Sequence, residues 1–129
     1  MEKHHFAKPY YVQDYIESAD RSHIDYRLLA VIALAESSGC KHYLFNNCWG
    51  YGSSRRLMHF ASIPEGIRFV SQQLGEASYY AGKPVLVKAQ NYGPHECDPK
   101  DKDQDPKTCK KIPVPWYAPN IIKYKNEIK

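Results

Sequence analysis

Leu28-Leu29-Ala30-Val31-Ile32-Ala33-Leu34-Ala35 is an unbroken apolar run, and wound as a helix it presents apolar surface nearly all round. The mean hydropathy of the whole chain is −0.64, so this segment must lie at the centre and the rest must wrap it. Asp25 is placed to cap the helix and Gly39 to end it. The expected fold class is therefore mainly α, built round one buried helix.

A chain of 129 residues suits one domain, about two thirds of whose unfolded surface can be buried; we expect residues 1–129 to form a single unit acting as a monomer. No apolar stretch approaches the roughly 20 residues needed to span a bilayer, so no membrane span is expected. The net charge of +4 favours an anionic partner without choosing between wall polymer and nucleic acid. Eleven tyrosines and two tryptophans suit a surface that stacks on sugar rings or bases.

Cys40, Cys48, Cys97 and Cys109 include no C-x-x-C pair, so the close ligand spacing of structural zinc is missing. Of three possible pairings, Cys40 with Cys48 and Cys97 with Cys109 are favoured because each closes a polar loop. Each bond is worth up to about 3 kcal/mol on a chain-entropy model. Such bonds persist in oxidising compartments. The chain is accordingly expected to act outside the cytoplasm, and to have lost a leader that its first residues do not show.

Apolar spacing predicts a short helix over 9–19, led by Tyr11, Val12, Tyr15 and Ile16, and a longer one from Pro64 on Ile67, Val70, Leu74 and Ala77, with Gly82 just past its end. Shorter helices are expected over 84–91 and 115–128. Residues 40–60 read as a long structured loop, with room for a hairpin. Residues 95–111, rich in lysine and acid, are a polar surface flap clipped by cysteine. Asp101, Asp103 and Asp105 open like a calcium loop, but Pro106 and Ile112 occupy the positions that need Gly and Glu. The six histidines, His4, His5, His23, His42, His59 and His95, show no metal-ligand spacing. Neither a metal nor a cofactor is expected.

Glu36 carries the chemistry. Leu29, Ile32, Ala33 and Glu36 stand at i, i+3, i+4 and i+7, so a carboxylate continues an apolar stripe. Partial burial and the negative helix end both favour the protonated form. A carboxyl group still protonated near neutral pH is what cleavage of a glycosidic bond requires. A glutamate at a frayed, solvated helix end is the plainer alternative.

Three local patterns, Ala35-Glu36-Ser37-Ser38-Gly39, Asn46-Asn47-Cys48-Trp49-Gly50-Tyr51-Gly52 and Asn91-Tyr92-Gly93-Pro94, together resemble the motif series of the lysozyme-like superfamily. Phe60-Ala61-Ser62-Ile63-Pro64-Glu65-Gly66-Ile67, followed by Tyr79-Tyr80 and Gly82-Lys83, resembles a segment of its small domains. The likeness spans about residues 28–124. Glu36-Ser37 is similar to the acid motif of lytic transglycosylases and goose-type lysozymes, whereas the N-N-x-x-G segment is closer to bacterial N-acetylglucosaminidases. Two departures stand out: Asn91-Tyr92 reverses the transglycosylase order, and the 95–111 flap has no counterpart.

The resemblance implies a lysozyme-like helical domain that binds peptidoglycan glycan strands in a cleft between the central helix and the 40–60 loop, and cuts a β-1,4 bond between amino sugars as a lytic transglycosylase or a muramidase. Glu36 is then the catalytic acid. Ser37 steadies the carboxyl group or the substrate, Tyr92 reaches toward Glu36 or the scissile sugar, Trp49, Tyr51 and Trp116 stack on sugars, and Asn46 and Asn47 read hydroxyl and acetamido groups. Core packing is an equal alternative for Trp116, and helix packing for Tyr92. A second carboxylate, which would separate retaining, inverting and single-carboxyl mechanisms, has only Glu65, Glu76, Glu96 and Asp98 as candidates. The rivals are an endo-N-acetylglucosaminidase of the same superfamily, a glycan-binding module without turnover, and a basic single-strand nucleic-acid binder. The last would need cations interleaved with aromatics along one face, and no such stripe is present.

Overall fold

The apolar run forms the helix expected of it, and the other helices are arranged around that helix. In the computed structural model, which describes residues 6–53 and 56–127, α1 is Val12–Ser22, α2 Tyr26–Ser37, α3 Ile63–Glu76, α4 Val85–Tyr92 and α5 Tyr117–Glu127. Two small antiparallel hairpins join them: β1 (Gly52–Ser53) with β2 (Arg56–Leu57), and β3 (His95–Cys97) with β4 (Lys111–Pro113). The protein is mainly helical. No helix among the described residues is long and apolar enough to cross a membrane.

α2 is capped as its sequence implies. The Asp25 side chain accepts from the Arg27 backbone N–H and also takes Arg27 Nη2 at 2.7 Å and Lys125 Nζ at 3.3 Å, so one carboxylate ties the start of α2 to the end of α5. Leu28 to Ala33 are all essentially inaccessible. α1, α3 and α5 pack against α2, and α4 packs on α5. At the other end the chain turns left-handed through Ser38 and Gly39, and the Gly39 N–H returns to the Ala33 carbonyl.

Helix boundaries differ from expectation in α1 and α3, and α5 starts at Tyr117, two residues after Pro115. α1 starts and ends three residues later than the spacing suggested, because its inward face is Tyr15, Ser18, Ala19 and Ser22, while Val12 is 46% exposed. Small residues bring α1 close to α3: a Cβ on Gly75 would lie 2.2 Å from the Ser22 carbonyl oxygen. α3 starts where its Ser62 and Glu65 caps dictate, but stops at Glu76, well short of Gly82. The buried Lys88 ammonium donates to the Leu74 carbonyl at 2.7 Å, joining α4 to the last turn of α3. The last expected helix ran to Ile128, which, like His4 and His5, lies outside the described residues.

Both favoured cysteine pairs are bonded, Cys40 to Cys48 and Cys97 to Cys109, a linkage suited to an oxidising, extracytoplasmic setting. The 95–111 flap is the β3–β4 hairpin with an ordered tip. The carboxylates of Asp98, Asp101, Asp103 and Asp105 each accept the backbone N–H two residues on, a succession of Asx turns. These bonds use the carboxylates to shape the polar backbone.

Candidate active site

Glu36 occupies the last turn of α2, where the helix leaves the core: Ile32 and Ala33 are buried, whereas Ala35 and Glu36 face outward. It opens onto a groove of about 1040 Å³. One wall is the 40–60 loop, contributing Leu44, Phe45, Arg56, Leu57 and His59; the other is formed by Tyr92, Gly93, Pro94, Trp116 and Tyr117. A second hollow of about 590 Å³ adjoins it, sharing Glu36, Leu44, Gly50 and Leu57 and adding Lys41 and His42. The size and mostly apolar lining of the larger hollow are those of a ligand site.

The carboxyl group is held from two sides. Tyr117 Oη donates to Glu36 Oε1 at 3.1 Å. Opposite, Gly50 passes so close that a Cβ there would stand 3.0 Å from Glu36 Oε2; its φ of 62° also favours glycine. Crowding by these neighbours desolvates the carboxyl and raises its pKa above the ordinary value, and the Tyr117 hydrogen bond opposes part of that rise. Although the residue keeps an exposed face, that face meets the groove.

The expected site residues separate into those at the groove and those behind it. Tyr92 lines the groove, yet its hydroxyl donates in a short bond to the Trp49 carbonyl, so the contact with Glu36 expected of Tyr92 is made by Tyr117. Trp49 corrects a stacking assignment: it is wholly inaccessible, with its indole N–H directed at Tyr15 Oη and its ring against Gly66, where a Cβ would approach within 2.4 Å. Asn47 lines the second hollow but is almost wholly buried; its amide donates to the Tyr51 and Met58 carbonyls and accepts from the Trp49 and Tyr51 N–H groups. Asn46 donates to the Phe60 carbonyl. These amides read backbone, so they hold the loop in shape.

Ser37 also has an internal role, donating to the Ala33 carbonyl and accepting from the Cys40 N–H, which closes α2 and aims the chain at the Cys40–Cys48 bond. Tyr51 is half-buried against Phe69 and lines a smaller hollow beside the groove with Tyr79, Tyr80 and Tyr92. Trp116, 59% exposed, lies on the groove wall. None of the four candidate second carboxylates reaches it: Glu65 caps α3 through the Ala61 N–H, Glu76 is bonded to Gln72, and Glu96 and Asp98 belong to the β3–β4 hairpin. Among the described residues, Glu36 is the only acid lining either hollow.

Tyr117, Phe45 and His59 were not singled out from the sequence. Phe45 stacks on His59 with ring centroids 3.6 Å apart and holds a left-handed backbone (φ 59°), secured by the Phe60 N–H on its carbonyl. For Tyr117 the only local signal is the glycine it packs on, since a Cβ at Gly93 would meet its ring at 2.2 Å. Comparison with protein-family models, curated proteins and solved structures finds no match.

Proposed function

We propose that this protein is a peptidoglycan-cleaving enzyme that breaks a β-1,4 bond between amino sugars, using Glu36 first as acid and then as base. The observation that carries the reading is a single carboxyl group, its pKa raised by desolvation, on an aromatic-lined groove with no second acid among the described residues that line it. The motifs around Glu36, Trp49 and Tyr92 support the lysozyme-like assignment, and the helical fold with its central α2 is compatible with it.

One carboxyl group favours the lytic transglycosylase reaction over hydrolysis. Protonated Glu36 gives its proton to the glycosidic oxygen as the C1–O bond breaks. The 6-hydroxyl of the same sugar then attacks C1, and the Glu36 carboxylate takes that hydroxyl's proton, leaving a 1,6-anhydro end. A retaining hydrolase would need a second carboxylate about 5–5.5 Å away and an inverting one at about 6.5–9.5 Å. Trp116 is suited to stack on a sugar face, and Tyr117 orients the carboxyl group.

Mass spectrometry of products from purified peptidoglycan tests this. The expected result is soluble muropeptides with anhydro ends from the wild type and none from Glu36→Gln. Reducing ends would replace the transglycosylase with a hydrolase, and undiminished release by Glu36→Gln would remove Glu36 as the acid.

A further inference from the structure

Between α1 and α3 lies a polar hollow of about 300 Å³ that shares no lining residue with the two at Glu36. α1 contributes Ser18, Arg21 and Ser22, at i, i+3 and i+4, and α3 contributes Arg68, Gln72 and Glu76, at i, i+4 and i+8, so each helix turns one face to it. The two serines are 4% and 6% exposed, yet neither hydroxyl has a hydrogen-bond partner among the described residues. The guanidinium groups of Arg21 and Arg68 are likewise without an acid or acceptor there. Buried hydroxyls are ordinarily satisfied, and here unused donors from two helices line one hollow. Arg21 complements the negative end of α1, but Arg68 stands in the middle of α3, where no helix end calls for a cation.

Glu76, which accepts from Gln72 Nε2 at 3.1 Å, is the only acid lining the hollow. Two cations and one acid leave a single net positive charge, the complement of a monoanion. Guanidinium and hydroxyl donors approaching from two helices suit a tetrahedral oxyanion, whose oxygens point several ways, better than a planar carboxylate. No aromatic or aliphatic side chain lines the hollow, so a nucleic-acid base has nothing to stack on and a bilayer nothing to receive. We propose that this hollow binds a phosphodiester group of a flexible polyol-phosphate chain, giving the protein a docking point on anionic polymer that is separate from the Glu36 groove. The net charge of +4 draws such a chain toward the protein, and the hollow fixes one of its phosphates.

Calorimetry of the full chain with a short glycerol phosphate oligomer tests this, beside three probes that carry phosphate in other settings: inorganic phosphate, a single-stranded oligothymidylate and phosphatidylglycerol vesicles. The oligomer is expected to bind more tightly than any of the three, and less tightly as salt rises. Arg21→Gln with Arg68→Gln should weaken it about five- to thirtyfold, as two solvent-accessible charge contacts permit. Glu76→Gln should tighten it, and Glu36→Gln should leave it unchanged. In the wild type, the NMR amide signals of Ser18, Ser22 and Arg68 should shift as the oligomer is added while those of Gly50 and Tyr117 stay in place, a readout that needs no variant to fold. Unmoved signals at Ser18 and Ser22, or undiminished affinity in the double arginine variant, overturn the proposal. So does tighter binding of oligothymidylate, vesicles or inorganic phosphate, which would make the ligand nucleic acid, lipid or the free ion. Each of these failures leaves the proposed function standing, because that rests on Glu36.

Discussion

The Tyr117 hydroxyl lies 3.1 Å from Glu36 Oε1, joining residues separated by 81 positions in the chain. Donation to the carboxylate stabilises the charged form and so restrains the upward shift that desolvation imposes. Tyr117→Phe should therefore raise the Glu36 pKa further. The alkaline limb of the pH–rate profile is expected to move to higher pH, and the rate at its optimum to fall several-fold, in line with about 1 kcal/mol for a lost hydrogen bond. An unmoved limb would mean that this bond does not act on the Glu36 proton.

Glu36 itself is held at a cost to the fold. Its pKa is raised in the native state, so its stabilising contribution is complete only below the unfolded value and is lost as pH rises through the folded one. Glu36→Gln should match the wild type in melting temperature at pH 3 and exceed it slightly at pH 8. A variant less stable at pH 8 would show that the charged carboxylate supports the structure.

Asp25 behaves in the opposite sense. Its hydrogen bond to the Arg27 side chain, with Lys125 adding charge, lowers its pKa to about 2. Its stabilisation is present above the unfolded value near 4 and disappears as pH falls through about 2. Asp25→Ala should cost about 1–2 kcal/mol at pH 7 by loss of the cap and its partners, with the difference shrinking below pH 4. Denaturant melts across that range measure it.

The two tryptophans should separate cleanly. Trp49→Ala removes a fully buried ring and is expected to destabilise by about 3–5 kcal/mol. Trp116→Ala should leave stability within about 0.5 kcal/mol while weakening glycan binding several-fold. Parallel thermal melts and binding titrations decide it; a stability loss at Trp116 comparable to that at Trp49 would move it from the groove to the core.

Gly50→Ala tests the far side of the carboxyl group. Its Cβ would stand 3.0 Å from Glu36 Oε2 at a left-handed backbone position costing an alanine about 1–2 kcal/mol. Activity should fall more than stability, because the carboxyl group must shift to make room. Retained full activity would show that Glu36 tolerates displacement.

The boundary between sequence and tertiary information runs through the site itself. The unbroken apolar run specified α2 and its burial, Asp25 its start, and the stripe through Leu29, Ile32 and Ala33 placed Glu36 at the helix end; loop closure singled out the cysteine pairs. These are local matters, governed by side-chain periodicity and by short chain closures. Whether an aromatic or amide in the 40–60 loop faces the groove or the core was not local: Trp49 turns inward because Gly66 on α3 leaves it room, and Asn47 is occupied by backbone groups as far off as Met58. Tyr117 reaches Glu36 only because α5 packs across α2, with Gly93 making space for the ring. A contact between distant segments depends on how whole helices pack, and no single stretch of sequence contains that packing.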